Sequence, residues 1–310
     1  MSRFLVTGGA GFIGSHIIEA LVKEGHFVRV LDDFSSGKIA NLKSVLPKID
    51  LLKGDIRDEG TCLRAAAGMD YILHQAALRS VPKSMDQPRE YNQVNINGTL
   101  NMLSAALKHK VKHFVFASSS SVYGEIIRFP EKETFLPQPI SPYALSKLAG
   151  EHYCRIFSHH YGLNTTCLRY FNVFGPRQPL DDEYAVVVPK FISCLLKNLP
   201  PPIYGTGKQS RDFTFVQNVV RANILAAGRK TGKGEAINIA SGKDYSVLEF
   251  VRILNKLLKK NIKAKFLPPR PGDVFKTLAD LSQAKKILKY QPAIGFVEGL
   301  KITLENFGHA

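Results

Sequence analysis

Residues 3–14 read RFLVTGGAGFIG, an apolar run that ends in a cluster of glycines. The apolar residues 3–7 predict a buried strand, and the helical spacing of apolar residues over 13–24 predicts a helix directly after it. Gly9, Gly11 and Gly14 match the pattern G-x-G-x-x-G at the turn between them. Glycines at these positions permit a tight turn and let the backbone approach a diphosphate at the helix N-terminus. The stretch therefore predicts a strand, turn and helix that bind a dinucleotide.

The second predicted strand, residues 27–31, leads into Asp32 and Asp33. These carboxylates follow the glycine turn by about twenty residues, where an acidic side chain can accept hydrogen bonds from an adenosine ribose. A 2′-phosphate on that ribose would face the negative charge of Asp32. The sequence thus predicts NAD, rather than NADP, as the cofactor.

Further apolar segments alternate along the chain with helical patterns. We predict strands at residues 50–53, 71–74, 113–116 and 165–168, and helices near 61–67, 92–109 and 143–161. Strands that alternate with helices indicate an α/β fold with a doubly wound parallel sheet of the Rossmann type, in which ligands bind beyond the carboxyl ends of the strands. Loops at such ends include 54–56, 75–77 and 118–121.

The alternation stops after residue 170, and prolines accumulate between residues 176 and 202. This change in composition predicts an NAD-binding Rossmann domain at residues 1–170 and a smaller C-terminal substrate-binding lobe at residues 171–310. Residues 236–239 read as one more strand, which we expect to rejoin the sheet of the first domain.

A possible catalytic pair stands at the start of the helix predicted over residues 143–161. Tyr143 and Lys147 are four residues apart, so a helix projects them from one face. Pro142 suits the first helical position, and Ser141 can cap the helix. A tyrosine with a pKa of about 10 becomes a useful base when a nearby cation stabilises its phenolate. Spacing alone also fits an ordinary surface pair.

The net charge of +16 and the isoelectric point near 9.6 raise the possibility of a nucleic-acid partner. Residues 251–310 hold 12 Lys and Arg against 4 Asp and Glu, interspersed with Leu and Ile as on a solvated helix face. We therefore expect a basic, solvated surface and no nucleic-acid partner. Glycines interrupt the first apolar run within a few residues, which argues against a signal peptide or a membrane span and favours a cytoplasmic protein.

The cysteines and histidines suggest no metal or disulfide chemistry. Cys62, Cys154, Cys167 and Cys194 lack paired spacing, so we expect reduced thiols. His74 and the pair His159 and His160 lack partners at metal-ligand spacing, and no metal site is predicted.

The conjunction of these motifs resembles the extended short-chain dehydrogenase/reductase family over essentially the whole chain. The resemblance lies in TGGAGFIG at residues 7–14, Asp32, the serines at 118–121 and the Tyr143 and Lys147 pair, in this order. RYFNVFGPRQ at 169–178, SRDF at 210–213 and RPGD at 270–273 resemble the nucleotide-sugar epimerase branch of that family.

The resemblance implies roles for individual residues. Ser119 would orient the sugar 4-hydroxyl, Tyr143 would act as the base, and Lys147 would lower the pKa of Tyr143 and bond the nicotinamide ribose. The implied cofactor contacts are Gly8, Gly11, Phe12, Ile13, Gly14, Asp32, Asp33, Ser36, Gly37, Asp55, Ile56, Gln75, Ala76, Ala77, Asn95, Tyr143, Lys147 and Tyr170.

The implied substrate is a UDP-sugar, with its diphosphate at Asn172, Arg211 and Arg270, its uridine ribose at Asp273 and its uracil ring in the second lobe. The implied substrate contacts are Ser80, Val81, Ser119, Ser120, Ser121, Asn172, Val187, Phe191, Tyr204, Arg211, Arg270, Asp273 and Thr277. The family's assembly implies a homodimer through the helix near 92–109 and the helix that carries Tyr143.

Two further positions address the reaction. Ser120 and Ser121 stand where related 4,6-dehydratases carry Asp and Glu and where UDP-glucuronate decarboxylases keep a Glu, and serine cannot do that acid–base work at neutral pH. The resemblance therefore implies a 4-epimerase that interconverts UDP-glucose and UDP-galactose through a transient 4-keto sugar. Alternatives are another nucleotide-sugar enzyme of the family, such as a UDP-glucuronate epimerase, decarboxylase, dehydratase or net reductase, and a non-catalytic NAD-binding regulator.

One position addresses the choice of sugar. Thr277 stands where a bulky Tyr excludes N-acetylated sugars in the resembling epimerases. A small residue there removes that steric clash. We therefore expect UDP-GlcNAc and UDP-GalNAc to be accepted as well.

Overall fold

The strand that precedes the glycine turn lies inside a seven-stranded parallel sheet. The computed structural model describes residues 1–179, 187–229, 232–269 and 274–307, and the sheet order within them is β11-β6-β5-β4-β1-β2-β3. The strands are β1 (Arg3–Thr7), β2 (Phe27–Asp32), β3 (Asp50–Lys53), β4 (Tyr71–His74), β5 (His113–Ser119), β6 (Thr165–Tyr170), β7 (Val173–Phe174), β8 (Pro202–Tyr204), β9 (Ser210–Asp212), β10 (Thr214–Phe215), β11 (Lys233–Ile239), β12 (Asp244–Ser246) and β13 (Lys265–Leu267).

Helices cover both faces of this sheet. They are α1 (Phe12–Lys23), α2 (Glu59–Ala66), α3 (Val81–Asp86), α4 (Pro88–Tyr91), α5 (Gly98–Lys108), α6 (Pro142–Tyr161), α7 (Val187–Leu196), α8 (Val216–Ala227), α9 (Val247–Leu257) and α10 (Phe296–Asn306). Apolar residues of α1 and α8 pack in one core with β1, β2 and β11. Those of α2, α5 and α6 pack in a second core on the opposite face. The predicted doubly wound Rossmann-type fold is confirmed.

Sequence order along the sheet reverses between β1 and β4. The chain winds outward from β1 to β2 and β3, then returns to add β4, β5 and β6 on the other side, all in parallel register. Such a reversal opens a crevice at the carboxyl ends of the strands, where ligands bind in open α/β sheets. The glycine turn after β1 lies at this crevice.

The chain leaves the sheet after β6 and returns to it later. Between these points it forms β7 to β10, α7 and α8, and β11 then pairs with β6 along residues 233–239. A third apolar core joins α7, α9 and α10 to the short strands, with Phe174, Phe213 and Phe250 at its centre. The predicted division at residue 170 stays a prediction.

The helix predicted near 92–109 lies within a continuous helical segment that begins at Pro88. Residues 92–97 form a π-helical turn, and α5 itself spans Gly98–Lys108. Within that turn the buried Asn95 amide bonds to Leu78 and to the Ser146 hydroxyl on α6, at 2.8–3.0 Å.

No helix within the described part of the chain has the length and apolarity to cross a bilayer.

Candidate active site

A cleft of about 500 Å³ opens at the carboxyl ends of the central strands. Most of the residues implied as cofactor contacts line it. They are Gly8, Gly11, Phe12, Ile13, Gly14, Asp32, Asp33, Ser36, Asp55, Ile56, Gln75, Ala76, Ala77, Tyr143, Lys147 and Tyr170. Residues separated by most of the chain thus meet on one concave surface.

The glycine turn leaves no room for side chains where its backbone packs. A Cβ on Gly14 would stand 2.3 Å from the Gly8 carbonyl oxygen, and a Cβ on Gly8 would stand 2.7 Å from the Ala76 amide nitrogen. Gly8 also has φ of +64°, a conformation that suits glycine. The turn therefore brings bare backbone and the N-terminus of α1 to the cleft, as a diphosphate requires.

Asp32 links the glycine turn to the end of β2. Its carboxylate accepts hydrogen bonds from the Ala10 and Phe34 amides, both at 2.8 Å. Burial raises the pKa of this carboxyl, and the two amide hydrogen bonds oppose that rise. The fixed carboxylate lines the cleft at the end of β2, where a ribose hydroxyl can donate to it. The turn, the cleft and this acceptor together fit a dinucleotide.

Two implied cofactor contacts lie behind the cleft wall. Gly37 packs against Ala10 and Asp32, so a Cβ there would come within 2.8 Å of both. Asn95 is buried, and its amide donates to the Leu78 carbonyl. Leu78 itself lines the cleft. Both residues support the wall rather than line it.

Tyr143 lies in the first turn of α6, with its ring toward the cleft. Ser141 caps the helix by accepting from the Ala144 amide, and Pro142 occupies the first helical position, as expected. Burial of the hydroxyl raises the pKa of Tyr143, while a hydrogen bond with Ser119 and the positive charge of Arg79 oppose that rise. Ser119 and Arg79 thus both favour the phenolate, against the effect of burial.

Lys147 is buried one turn after Tyr143. Its ammonium nitrogen donates to the Ala117 carbonyl at 2.8 Å and lies 6.0 Å from the Tyr143 ring centre. Burial lowers the pKa of Lys147 to about 8. The positive charge of Arg79 lowers the pKa of Tyr143, and the expected effect of Lys147 on that pKa stays a prediction.

Several cleft residues had no role in the sequence-based expectations. Arg79 lies in the loop between β4 and α3, Ser118 is the last but one residue of β5, Arg177 belongs to the RYFNVFGPRQ segment, and Phe307 follows α10. Position after a strand end is a signal that could have pointed to Arg79, whereas the serines at 118–121 were placed at a strand end without a role for Ser118 itself. Phe307 reaches the cleft from the far end of the chain, and no local pattern indicates it.

Two of the implied diphosphate contacts, Asn172 and Arg211, lie within the described residues. The Asn172 amide donates to the Thr277 hydroxyl at 3.0 Å and to the Asp212 carbonyl at 3.2 Å. The Arg211 guanidinium donates to the Ser210 carbonyl at 2.9 Å. Asn172 therefore stands beside Thr277, while Arg270 and Asp273 lie outside the described residues.

The remaining implied substrate contacts lie in separate environments. Phe191 is buried and stacks on Phe250 at 5.5 Å within the lobe core. Val187 begins α7 and Tyr204 ends β8. Ser80 caps α3, whose first residue is the partly exposed Val81. The Ser119 hydroxyl accepts from the Ser121 amide and donates to the Ser121 hydroxyl, at 3.2 and 3.1 Å, with Ser120 between them.

No cluster of three His, Cys, Asp or Glu side chains suited to a metal ion occurs in the ranges the structure describes. His74 instead bridges two hydroxyls, with one ring nitrogen 2.7 Å from Thr7 Oγ1 and the other 3.1 Å from Thr99 Oγ1. Burial lowers the pKa of His74 to about 3. This imidazole is therefore neutral and structural.

Comparisons with known proteins agree with the geometry. Residues 4–240 match the model of the NAD dependent epimerase/dehydratase family. The UDP-glucose 4-epimerase of Mycolicibacterium smegmatis is 38% identical over 309 residues, which cover 98% of each chain. The solved UDP-N-acetylglucosamine 4-epimerase of Methanobrevibacter ruminantium M1, in complex with UDP-N-acetylmuramic acid, has a TM-score of 0.94 and 41% identity over 99% of this chain and 98% of that one.

A third relative was solved with NAD bound. The UDP-glucuronic acid 4-epimerase of Bacillus cereus, solved with UDP-glucuronic acid and NAD, has a TM-score of 0.90 and 33% identity over 99% of each chain. NAD is the cofactor of this family, as the glycine turn and Asp32 predict. The chain belongs to the NAD-dependent epimerase/dehydratase family.

Proposed function

We propose that the protein is an NAD-dependent UDP-hexose 4-epimerase. The observation that carries this proposal is that Tyr143 and Lys147 line the dinucleotide cleft one helical turn apart, with Ser119 acting on the pKa of Tyr143. Ser120 and Ser121 follow Ser119, so the carboxyl groups that elimination or decarboxylation would need are not at those two positions. Reversible oxidation at one carbon needs a single proton carrier, and Tyr143 supplies it.

NAD bound in the cleft supplies a reversible two-electron oxidant. Tyr143, as the phenolate, takes the proton of the sugar 4-hydroxyl while that carbon becomes a carbonyl. Ser119 orients the sugar oxygen, and the charge of Arg79 favours the phenolate. After the 4-keto sugar presents its opposite face, Tyr143 returns the proton to the same oxygen and the product has the inverted configuration. Lys147 fixes the end of β5 through the Ala117 carbonyl.

The second lobe supplies donors for a diphosphate. Arg211 carries a planar guanidinium that suits bidentate recognition of phosphate oxygens. The Asn172 amide lies 3.0 Å from the Thr277 hydroxyl. We propose Asn172, Arg211, Arg270 and Asp273 as UDP contacts, with Val187, Phe191 and Tyr204 around the uracil. For Phe191, its stack on Phe250 also fits plain core packing.

We propose that N-acetylated sugars are substrates, because Thr277 is small and its hydroxyl is turned to Asn172 and the Asp212 amide. Thr277→Tyr should abolish conversion of UDP-GlcNAc and preserve much of the conversion of UDP-glucose, since a clash with an acetamido group cannot be solvated away. Initial rates on both sugars measure this. Equal losses on the two sugars would contradict the assignment.

The direct test is to incubate the purified protein with UDP-GlcNAc and, separately, with UDP-glucose, without added cofactor, and to separate the 4-epimers. Conversion is expected with no net release of reduced cofactor, because each cycle restores NAD. A net reductase would instead change the cofactor in proportion to product. Conversion of neither sugar by NAD-loaded protein would refute the proposed activity.

Arg79 favours a second candidate, a 4-epimerase of UDP-uronates. Its positive charge acts on the Tyr143 hydroxyl, which puts a cation near the reacting end of the sugar, where a C6 carboxylate could pair with it. UDP-glucuronate belongs in the same assay for that reason. If it is the better substrate, Arg79→Gln should reduce its conversion far more than that of UDP-GlcNAc.

We also propose a homodimer that forms through α5 and α6. Leu145 and Ile156 lie three helical turns apart on α6, on one side of it, and are 55% and 44% exposed. Light scattering after gel filtration should give twice the chain mass, and Leu145→Glu together with Ile156→Glu should give monomers. A monomeric wild type would contradict this assembly.

A further inference from the structure

Helix α6 contacts the end of β5 through three side chains at four-residue intervals. The Lys147 ammonium donates to the Ala117 carbonyl at 2.8 Å, the Ser118 hydroxyl donates to Glu151 Oε1 at 2.5 Å, and Tyr143 lies near enough to Ser119 for that hydroxyl to lower its pKa. Residues at this spacing share one helix face. The last three residues of β5 are therefore each tied to the helix that carries the proposed base.

Glu151 is itself held in place by a buried ion pair. Arg169 donates through Nε to Oε1 at 2.9 Å and through Nη2 to Oε2 at 2.7 Å, and both side chains are less than 10% exposed. Arg169 lies directly opposite Ser118 in the register of β6 and β5, and its guanidinium stacks over Tyr123 at 4.7 Å. Two parallel hydrogen bonds fix the carboxylate plane. Ser118 thus donates to an acceptor that cannot rotate away.

Ser118 stands between the two residues on which the proposed proton transfer depends. Ala117 accepts from Lys147, and the Ser119 hydroxyl lowers the pKa of Tyr143. Adjacent strand residues point to opposite sides, so a bond at Ser118 fixes the strand against rotation that would swing Ser119 away from Tyr143. The displacement that matters is small, because a shift of about 1 Å in a reacting group can reduce a rate about 100-fold.

We propose that Ser118 and Glu151 form a positioning pair that holds Ser119 against the Tyr143 hydroxyl. The inference rests on the proposed function of Tyr143 as the proton carrier. Glu151 does not touch the cleft, and it acts through Ser118, which does. The Arg169 partner makes Glu151 part of the fold, so Ser118 is the side chain to change.

The test compares Ser118→Ala with Ser118→Thr in the NAD-loaded protein. Alanine removes the hydroxyl and leaves the Glu151 and Arg169 pair intact, whereas threonine keeps the hydroxyl and suits a strand. We expect alanine to reduce kcat about 10- to 100-fold with KM and NAD content near wild type, and threonine to recover most of the loss. A purely structural role would lower the melting temperature or the NAD content, with kcat per loaded site unchanged.

A second readout does not depend on turnover. Tyrosinate absorbance, taken as the difference between each protein and its Tyr143→Phe counterpart, follows the ionisation of Tyr143 alone. Among the residues that the structure describes, the charged and titratable groups that face Tyr143 are Arg79, Lys147 and Tyr91, and both variants leave them in place. A weaker Ser119 bond should raise the pKa of Tyr143 in Ser118→Ala and not in Ser118→Thr.

The outcomes separate the two proposals. A wild type that converts no UDP-sugar refutes the epimerase activity, and the titration then still tests the positioning pair. A wild type that is active, with Ser118→Ala at wild-type kcat and an unmoved Tyr143 titration, overturns the positioning pair alone.

Discussion

Gly14→Ala should separate the two roles of the glycine turn, which are to support the fold and to hold a diphosphate. The new Cβ would stand 2.3 Å from the Gly8 carbonyl oxygen and 2.8 Å from the Gly9 Cα, against the 3.4 Å or more of an ordinary contact. Both neighbours are backbone, so the turn must move by about 1 Å. Overpacking of this kind costs about 1–3 kcal/mol of unfolding free energy. We expect a fall of roughly 2–5 °C in melting temperature, because a chain of this length has a large unfolding entropy.

The effect on cofactor binding follows from the same displacement. Loss of two amide hydrogen bonds to a charged diphosphate, at about 1.5 kcal/mol each, weakens NAD binding about 100-fold. NAD at 100 times the wild-type Kd stabilises the wild type by about 2.7 kcal/mol, whereas the variant gains only about 0.4 kcal/mol at that concentration. The stability gap between the two proteins should therefore widen by about 2 kcal/mol when NAD is added.

Calorimetric titration of NAD and thermal melts with and without NAD measure both parts. Gly60→Ala is the matched control, since Gly60 is helical, its nearest neighbours are at 3.5–3.6 Å, and alanine favours a helix by up to about 1 kcal/mol. This control should bind NAD normally. An equal loss of stability with and without NAD in Gly14→Ala would refute a role of the turn in cofactor binding.

Three further predictions concern the cleft. Tyr143→Phe should lower turnover by about 100- to 10,000-fold with NAD content unchanged, and normal turnover would reject Tyr143 as the base. Arg79→Gln should raise the pKa of Tyr143 and move the acid limb of the kcat profile to higher pH, whereas an unmoved limb would exclude Arg79 from this role. In NAD-free protein, Lys147 loses its proton near pH 8 in the folded state and near pH 10.5 in the unfolded chain. Between these pH values the unfolded chain binds more protons, so the free energy of unfolding should rise with pH by about 3 kcal/mol relative to that of Lys147→Met. Urea unfolding of both proteins across this range measures the difference. Parallel pH curves for the two proteins would contradict the burial of a charged Lys147.

Local pattern predicted much of the fold because each element has a periodic apolar face. The predicted strand at residues 3–7 has the bounds of β1, and the predicted helix at 143–161 differs from α6 by one residue. The π-helical turn at 92–97 was not predicted, because Asn95 within it contacts Ser146, a residue distant in the sequence. Glycine and acidic motifs carry their spacing in the sequence and could be recognised directly.

The site was less predictable where it depends on packing between distant segments. Phe307 reaches the cleft through the packing of α10, and Glu151 acquires its partner only when β6 lies beside β5. The pKa of Tyr143 depends on the cations near its hydroxyl, and helical spacing suggested Lys147 but gave no sign that the fold also brings Arg79 near. Spacing along a helix predicts which side chains share a face. It does not predict which residues from other segments of the chain will contact that face.

The way β11 rejoins the sheet has a consequence for how such a protein can diversify. β11 is the edge strand beside β6, and the segments on the substrate side leave from the carboxyl ends of these two neighbours. Insertions or replacements in those segments need not alter the register of the five strands that position the glycine turn and Asp32. Recognition of the sugar can therefore change over evolution, or by design, while the handling of the cofactor is inherited intact.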